Sequence, residues 1–262
     1  MVQKALLIGI NYIGTSAELR GCINDVLNVK KFLIEEQGFK EEEVRVMTEA
    51  SETKENRPTK ENIVSAIKEL IRDNDKDSKL FLHYSGHGSW TYDRNMDEKD
   101  RRDETICPVD FRRSGDIIDD QLHRLLVDPL VEGAELFCLF DCCHSGTVLD
   151  LKYNYQVDTS PKGTTYTINS DKKYSSTKAQ ILTVSGCTDV QTSADAFISK
   201  KFQGAMTYSF LKAYEDLKKS EKTITYKNLM KNLLLNCKKG GYKQIPQLCS
   251  GNFVDLGKEF KL

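Results

Sequence analysis

The sequence has almost no net charge, because 38 Lys and Arg residues balance 39 Asp and Glu residues and leave a formal charge of −1. Without a global basic field, neither nucleic acid nor an acidic membrane surface is expected as a partner. The chain also lacks internal repeats and low-complexity tracts. Its apolar content of 39% and charged content of 29% are typical of a soluble globular protein, and 262 residues are enough to bury a substantial core.

A long apolar run is missing as well. The N-terminal run from Ala5 to Ile10 is too short to cross a bilayer, and the cleavage pattern of a signal peptide is absent. No C-x-x-C pair occurs among the eight cysteines, which are Cys22, Cys107, Cys138, Cys142, Cys143, Cys187, Cys237 and Cys249. We therefore expect a cytoplasmic protein whose cysteines are thiols, and the question becomes which of them reacts.

Segments of strand and helix character alternate along the chain. Strands are predicted at residues 4–10, 44–48, 79–84, 136–140, 179–186 and 246–250. Helices are predicted at residues 24–36, from Thr59 to Ile71, from a cap at Asp119 or Asp120 to Asp128, and at residues 203–217 and 226–237. This order favours parallel β-α-β units, so we expect an α/β protein with a central, mostly parallel β-sheet flanked by helices on both faces.

Two further segments complete this prediction. Residues 89–116 are rich in charge and are predicted to form a loop. Residues 152–178 are rich in Ser, Thr, Lys and Tyr, but apolar side chains alternate on either side of the turn at 161–163. This pattern favours a β-hairpin over a disordered linker.

Two of the predicted strands end in sequences of the same kind, H-Y-S-G-H-G at residues 83–88 and D-C-C-H-S-G at residues 141–146. A thiolate nucleophile needs a neighbouring base and backbone N–H donors for the oxyanion of a tetrahedral intermediate. A His after one strand and a Cys after another can meet that geometry. Because Gly lets the backbone approach the scissile carbonyl, the amides of Gly88 and Cys143 are natural oxyanion donors.

The same side chains allow two other interpretations. A free cysteine is among the most buried residue types and usually only packs. A zinc site could draw its ligands from His83, His87, Cys142, Cys143 and His144. That set is awkward for a closed tetrahedron, because one His lies inside a strand and the two adjacent cysteines point in opposite directions.

The two motifs strongly resemble those of the metacaspases, the caspase-like cysteine peptidases of plants, fungi, protists and bacteria. The resemblance is collinear over nearly the whole chain and includes residues 9–12, 19–25, 103–110, 185–189, 191–195, 204–207 and 246–248. It implies a single caspase-like domain over residues 1–262, with a large-subunit-like part (1–151), a connector (152–178) and a small-subunit-like part (179–262). The organisation resembles type I, without the Pro- or Gln-rich pro-segment that many members carry.

The resemblance assigns the catalytic roles. It implies that Cys143 is the nucleophile and that His87 is the base, while Cys142 takes the place of a packing thiol beside the nucleophile. His83 and His144 are expected to be structural. A catalytically silent, calcium-responsive scaffold with the same fold is the alternative function, and the presence of both dyad residues argues against it.

Substrate preference follows from three further positions. Metacaspases cleave after Arg or Lys because their S1 pocket is acidic, and the matching residues here are Asp25, Ser85 and Asp141. Two carboxylates and a hydroxyl can pair with a guanidinium or an ammonium group. By pattern alone, Asp25 is also a favourable first-turn helix residue and Asp141 a turn former, and these roles are compatible with the first.

The resemblance also implies an activating Ca²⁺, with Asp103, Asp119, Asp120 and Asp150 at the ligand positions. Converging carboxylates are the hard-oxygen environment that Ca²⁺ prefers, and without the ion they would repel one another. The other interpretation is a set of solvated loop acids with a helix cap. An arginine pair precedes Asp103 where the family often has Gly, which bears on loop geometry and affinity.

Self-cleavage is expected in the connector, at Lys172, Lys173 or Lys178, because Lys162 would lie in a tight turn that fits an extended-substrate groove poorly. Members of this family are usually monomeric, so a monomer acting on proteins or peptides with Arg or Lys before the cleaved bond is expected.

Overall fold

A computed structural model of the chain describes residues 2–92, 101–142, 148–160, 163–186, 195–198 and 201–262. The strands are β1 (Gln3–Gly9), β2 (Val44–Thr48), β3 (Lys79–Ser85), β4 (Gly88–Tyr92), β5 (Arg102–Ile106), β6 (Ile117–Ile118), β7 (Glu135–Asp141), β8 (Tyr153–Ser160), β9 (Gly163–Ser170), β10 (Gln180–Ser185), β11 (Asp195–Ile198), β12 (Lys201–Gly204) and β13 (Gln247–Ser250). The helices are α1 (Cys22–Gln37), α2 (Lys60–Ile71), α3 (Phe111–Ser114), α4 (Asp119–Leu126), α5 (Ala205–Lys219) and α6 (Tyr226–Lys239).

Eight of the strands form one sheet in the order β2-β1-β3-β7-β10-β13-β8-β9. The first four neighbouring pairs are parallel and the last three are antiparallel. In the parallel half, Gly9 pairs with Ser85 and Ser85 with Asp141. The strands β1, β3 and β7 therefore end side by side, and the residues immediately after each of them lie at one edge of the sheet.

The sheet is covered on both faces, as predicted. Leu136, Cys138 and Phe140 of β7 pack on one side with residues of α2 and α4. Phe137 and Leu139 point to the other side and pack with residues of α1, α5 and α6. Because both faces are buried, the central strands are almost continuously apolar, which explains why β7 has no polar alternation.

Local signals set the ends of two helices. Thr59 caps α2, and its hydroxyl oxygen accepts a hydrogen bond from the backbone N–H of Asn62 at 3.3 Å. Gly38 follows α1 with a φ of 76°, and its N–H donates to the carbonyl of Leu33. This left-handed conformation favours glycine and ends the helix, so both predicted boundaries are confirmed.

Two predictions of local structure were wrong, and one hairpin was not predicted. Residues 89–116 are not simply a loop, because they contain β4, β5 and the short α3. Neither strand has an apolar run, and the two are stabilised by antiparallel pairing with each other. The residue that caps α4 is Ile118 rather than Asp119 or Asp120, which occupy the first helical turn. The β11–β12 hairpin was not predicted.

The prediction of a hairpin in the connector agrees with the structure. The hairpin after residue 152 is present as β8 and β9, which pair antiparallel from Tyr153↔Ser170 to Ser160↔Gly163. Six cysteines fall within the described residues, and all six are buried free thiols. In the same part of the chain, no helix is both long enough and apolar enough to cross a membrane.

Candidate active site at the carboxyl edge of the sheet

His87 lies two residues beyond β3, at the edge where the parallel strands end. Its Nε2 is 2.7 Å from the backbone carbonyl oxygen of Ala17. Since a carbonyl can only accept a hydrogen bond, Nε2 carries the proton and Nδ1 of the neutral ring is the acceptor. The loop after β1 therefore fixes both the orientation of the imidazole and the tautomer that a general base needs.

Two buried tyrosines hold the backbone of this residue. The N–H of His87 donates to Tyr12 Oη at 3.0 Å, and Tyr84 Oη donates to the His87 carbonyl at 2.7 Å. The rings of Tyr12 and His87 also stack at a tilt, with centroids 4.7 Å apart. Burial raises the pKa of both phenols well above its usual value, so they remain neutral donors. A Cβ on Gly86 would lie only 2.7 Å from Tyr84 Oη, which requires glycine there.

Asp25, Ser85 and Asp141 come from α1, β3 and β7 and meet beside the same edge. Ser85 Oγ donates to Asp25 Oδ2 at 2.7 Å, and all three residues are at most 1% exposed. A Cβ added to Gly204 would lie 2.6 Å from Asp25 Oδ2 and 2.2 Å from Asp141 Oδ2. The two carboxylates therefore converge on one glycine at the start of α5.

Backbone amides from the C-terminal part of the chain bind these carboxylates. The N–H of Gly204 donates to both oxygens of Asp25 at 2.9 Å, and the N–H of Thr207 donates to Asp141 Oδ2 at 2.7 Å. Hydrogen bonds of this kind favour the ionised form of a buried carboxyl group. The result is a buried group of two carboxylates and one hydroxyl, which we call the acidic pocket.

Three further carboxylates meet beside α4. Asp119, Asp120 and Asp150 each place an oxygen within 4.8 Å of those of the other two, and among the described residues they form the one cluster that could hold a metal ion. Asp150 has a φ of 49°, a left-handed value that Asp adopts more readily than most residues. Burial and the side chain of Glu104 raise the pKa of Asp119 to about 8.

This donor set fits a hard divalent cation, because all its donors are carboxylate oxygens and their mutual repulsion is relieved by positive charge. Asp103, the fourth predicted ligand, does not belong to that described cluster. It lies on β5 and is buried, beside Glu104, whose N–H donates to Asp119 Oδ2 at 2.6 Å. The structure therefore brings three of the four predicted ligands together.

Comparison with known proteins settles the family. A family model described as the metacaspase, peptidase C14 domain matches residues 3–152. The chain is 38% identical to Metacaspase-1 of Eremothecium gossypii, over 99% of this chain and 66% of that protein. It is 36% identical to Metacaspase-1 of Meyerozyma guilliermondii, over 98% of this chain and 72% of that protein.

The chain belongs to the metacaspase family. This is a family of cysteine peptidases with the caspase-like fold, and the mostly parallel sheet described above is that fold. A crystal structure of a protein from Geobacter sulfurreducens supports the same architecture, with a TM-score of 0.68 and 24% identity over 99% of this chain and 98% of that one. The chain spans 66% and 72% of the lengths of the two fungal metacaspases.

The predicted nucleophile of this metacaspase, Cys143, and His144 lie outside the described residues. The neighbouring Cys142 is 1% exposed and packs in the core with Phe140, which suits a packing thiol. Gly88 begins β4 directly after His87. The three candidate self-cleavage lysines are all exposed. The described residues therefore place His87, Gly88 and the acidic pocket at a single edge of the sheet.

His83 takes no part in a zinc site in the described part of the chain. It is fully buried on β3, where Nδ1 lies 2.9 Å from the Leu139 carbonyl and must donate to it. Nε2 is buried with no hydrogen-bond partner among the described residues. Both nitrogens face protein, so the interpretation as a structural residue fits the geometry.

Burial of His83 makes a prediction about acid stability. Desolvation lowers its pKa to about 4 from an ordinary value of 6.5, so the unfolded chain binds more protons between those values. Stability is therefore complete above pH 6.5 and is lost as the pH falls, by about 3 kcal/mol at pH 4. Urea unfolding across this range should show that loss, and His83→Gln should remove it. An unchanged pH slope in the variant would contradict this cause.

Sequence reasoning missed several residues of the site. The Ala17 carbonyl and Tyr12 carry no catalytic signature, and no local pattern indicates that they contact His87. The amides of Gly204 and Thr207 could have been identified from the sequence, because residues 204–207 are one of the segments that resemble the family. No role was assigned to them.

Proposed function

We propose that this chain is a calcium-activated cysteine endopeptidase that cleaves after Arg or Lys. The observation that carries this proposal is the buried acidic pocket of Asp25, Ser85 and Asp141 at the edge that also bears His87. Two ionised side chains with a hydroxyl favour a guanidinium or an ammonium group and repel a substrate carboxylate. A pocket for Asp, as in an Asp-directed caspase, would need basic residues at these positions.

The chemistry follows from the tautomer of His87. Nδ1 takes the proton of the Cys143 thiol, and the thiolate attacks the scissile carbonyl. The amides of Gly88 and Cys143 stabilise the oxyanion, and protonated His87 gives its proton to the leaving amine, which leaves a thioester on Cys143. His87 then takes a proton from water, the resulting hydroxide attacks the thioester, and the released thiolate is reprotonated.

Turnover of short fluorogenic peptides tests this proposal. Peptides that differ only in an Arg, Lys or Asp residue before the fluorophore would be assayed with calcium and with a chelator. We expect turnover of the Arg and Lys peptides in calcium alone, and none by Cys143→Ala. Turnover that favours Asp, or that survives Cys143→Ala, would overturn the assignment. Inactivity toward all three peptides would favour the silent, calcium-responsive scaffold.

The calcium component rests on Asp119, Asp120 and Asp150, with Asp103 kept as the fourth predicted ligand. Bound Ca²⁺ supplies positive charge that compensates these carboxylates. The chain between β7 and Asp150 contains Cys143, so Asp150 anchors the far end of the segment that carries the nucleophile. Because these residues hold that end against α4, they link metal binding to the position of the thiol.

Removing the carboxylate charges of α4 should uncouple activity from calcium. We expect Asp119→Asn with Asp120→Asn to abolish calcium stimulation, with a loss of at least tenfold in affinity, because two of three converging charges are gone. Activity and binding would be titrated against free calcium, with Asp158→Asn on the exposed side of β8 as the matched control. Stimulation equal to that of the parent would remove these residues from the site.

Three finer properties complete the proposal. The enzyme acts as a cytoplasmic monomer on proteins or peptides with Arg or Lys before the cleaved bond, and it can process itself at Lys172, Lys173 or Lys178. The buried thiols of the described cysteines suit a reducing compartment. The exposure of the three lysines supports their access to an active site.

A further inference from the structure

Two side chains of the connector reach the acidic cluster beside α4. Tyr174 Oη donates a hydrogen bond to Asp150 Oδ1 at 2.7 Å. Lys173 Nζ in turn donates to Tyr174 Oη at 3.0 Å, and the ammonium lies 4.6 Å from the centroid of the same ring. A relay thus runs from Lys173 through Tyr174 to Asp150, and we call these first two residues the latch.

The latch uses a carboxylate that a cation would also use. Asp150 is one of the three residues whose oxygens converge within 4.8 Å. A divalent cation bound there would attract the carboxylate lone pairs of Asp150 that accept the Tyr174 hydrogen bond. It would also repel the Lys173 ammonium, which lies one phenol oxygen away. The latch and the cation therefore compete for Asp150.

The packing around the latch leaves room for movement. Tyr174 lines a cavity of about 210 Å³ together with Leu151 and Asp171. It also lines a second cavity, of about 380 Å³, together with His123. A side chain that borders two such spaces lacks the close packing that locks a core residue in one rotamer.

The chain just beyond the latch is held separately. Asn252 Nδ2 donates to the carbonyl oxygen of Thr177 at 2.9 Å and to that of Ala179 at 3.0 Å. Ala179 is buried and leads directly into β10. The residues before Thr177 can therefore leave Asp150 while the small-subunit-like part keeps its place in the sheet.

We propose that the latch holds the connector against Asp150 in the absence of a cation, and that a divalent cation at Asp119, Asp120 and Asp150 displaces it. The inference rests on the proposed function for the identity of that cation and for self-cleavage in the connector. Displacement releases Tyr174 from Asp150 and with it the chain at the Lys173–Tyr174 bond, so Lys173 becomes the preferred cleavage position among Lys172, Lys173 and Lys178.

Calcium binding to the intact chain tests the competition. All proteins would carry Cys143→Ala, so that self-cleavage cannot contribute. Tyr174→Phe keeps the ring but removes the hydroxyl that occupies Asp150, so calorimetric titration should show calcium bound about fivefold more tightly. Tyr166→Phe is the matched control, because it also loses a phenol hydroxyl. That hydroxyl lies on the β8–β9 hairpin, away from Asp150, and donates to the Lys227 carbonyl at 3.1 Å. This control should bind calcium with the parent affinity.

Digestion with endoproteinase Lys-C gives a readout independent of activity. Without calcium, cleavage after Lys173 should be several-fold faster in Tyr174→Phe than in the parent, and calcium should accelerate it in the parent. Unchanged calcium affinity together with unchanged digestion of Tyr174→Phe would overturn the latch. Weaker calcium binding by this variant would overturn it as well, because the Tyr174 hydroxyl would then be a calcium ligand. If the parent bound no calcium but Lys-C still cleaved Tyr174→Phe faster than the parent, the contact between the latch and Asp150 would be supported. Calcium activation would then be removed from the proposed function.

Discussion

Replacing Asp141 by Asn is expected to lower kcat/KM for peptides with Arg before the cleaved bond by roughly 10²- to 10³-fold. The substitution keeps the size of the side chain and an oxygen that can accept from Thr207, but removes one negative charge from a buried pocket. Removing one partner of a buried ion pair costs several kcal/mol, because the remaining charge loses its compensation. The loss would be measured as kcat/KM in saturating calcium.

A neutral substrate separates charge from shape in this experiment. Citrulline has nearly the shape of Arg without its charge, so its peptide should be a poor substrate for the parent and equally poor for Asp141→Asn. Asp158→Asn, on the exposed side of β8, should retain parent activity toward both peptides. An equal loss of Arg and citrulline turnover in Asp141→Asn would show that the variant damages the site rather than its charge recognition.

Replacing Gly204 by Ala should reduce turnover of Arg peptides at least 10²-fold. The added Cβ would lie 2.2 Å from Asp141 Oδ2 and 2.6 Å from Asp25 Oδ2, so both carboxylates must move. Displacements of about 1 Å in a site of this kind cost about 10² in rate. The φ of Gly204 is −67°, which any residue adopts, so the effect comes from the carboxylates and not from backbone strain.

Gly257→Ala is the matched control for that variant, because a Cβ there approaches Asp255 Oδ1 no closer than 3.2 Å. It should retain parent activity and melting temperature. Near-parent turnover of Arg peptides by folded Gly204→Ala would show that Asp25 and Asp141 do not form the recognition pocket. Circular dichroism would confirm that each variant is folded.

Much of the fold could be predicted because the informative signals are local. The apolar stretch of β7, the cap at Thr59 and the turn glycine at Gly38 each follow from a few neighbouring residues. The shared edge was also predictable, since parallel strands joined by helices end on the same side. The pairing of Ser85 with Asp141 is the register that this argument requires.

The remaining features depend on contacts between distant parts of the chain. Gly204 contacts Asp25 across 179 positions, and His87 contacts Ala17 across 70, and no short pattern encodes either. Strand β5 was missed because its sequence, R-D-E-T-I, has no apolar alternation and gains its stability from pairing with β4 and β6. Tyr174 was overlooked for the same reason, since only the folded chain brings it to Asp150.

In the proposed function, one edge of the sheet combines substrate binding and catalysis. Ser85 ends β3 and His87 lies two residues beyond it, so β3 and the turn that follows supply both a member of the acidic pocket and the proposed base. Asp141 ends β7, two residues before Cys143. Because β3 and β7 are hydrogen-bonded neighbours in the sheet, the same pairing sets the positions of Ser85 and Asp141, the strand ends from which the chain continues to His87 and Cys143.

Covalent labelling tests the central claim most directly. The intact protein would be treated in calcium with two thiol-reactive peptide probes that differ only in an Arg or an Asp next to the reactive group, and the labelled residue would be mapped by mass spectrometry. The arginyl probe should label Cys143, and not Cys142, with the reaction strongly slowed by His87→Ala and by chelator. Labelling at Cys142, or equal labelling by the aspartyl probe, would contradict the account.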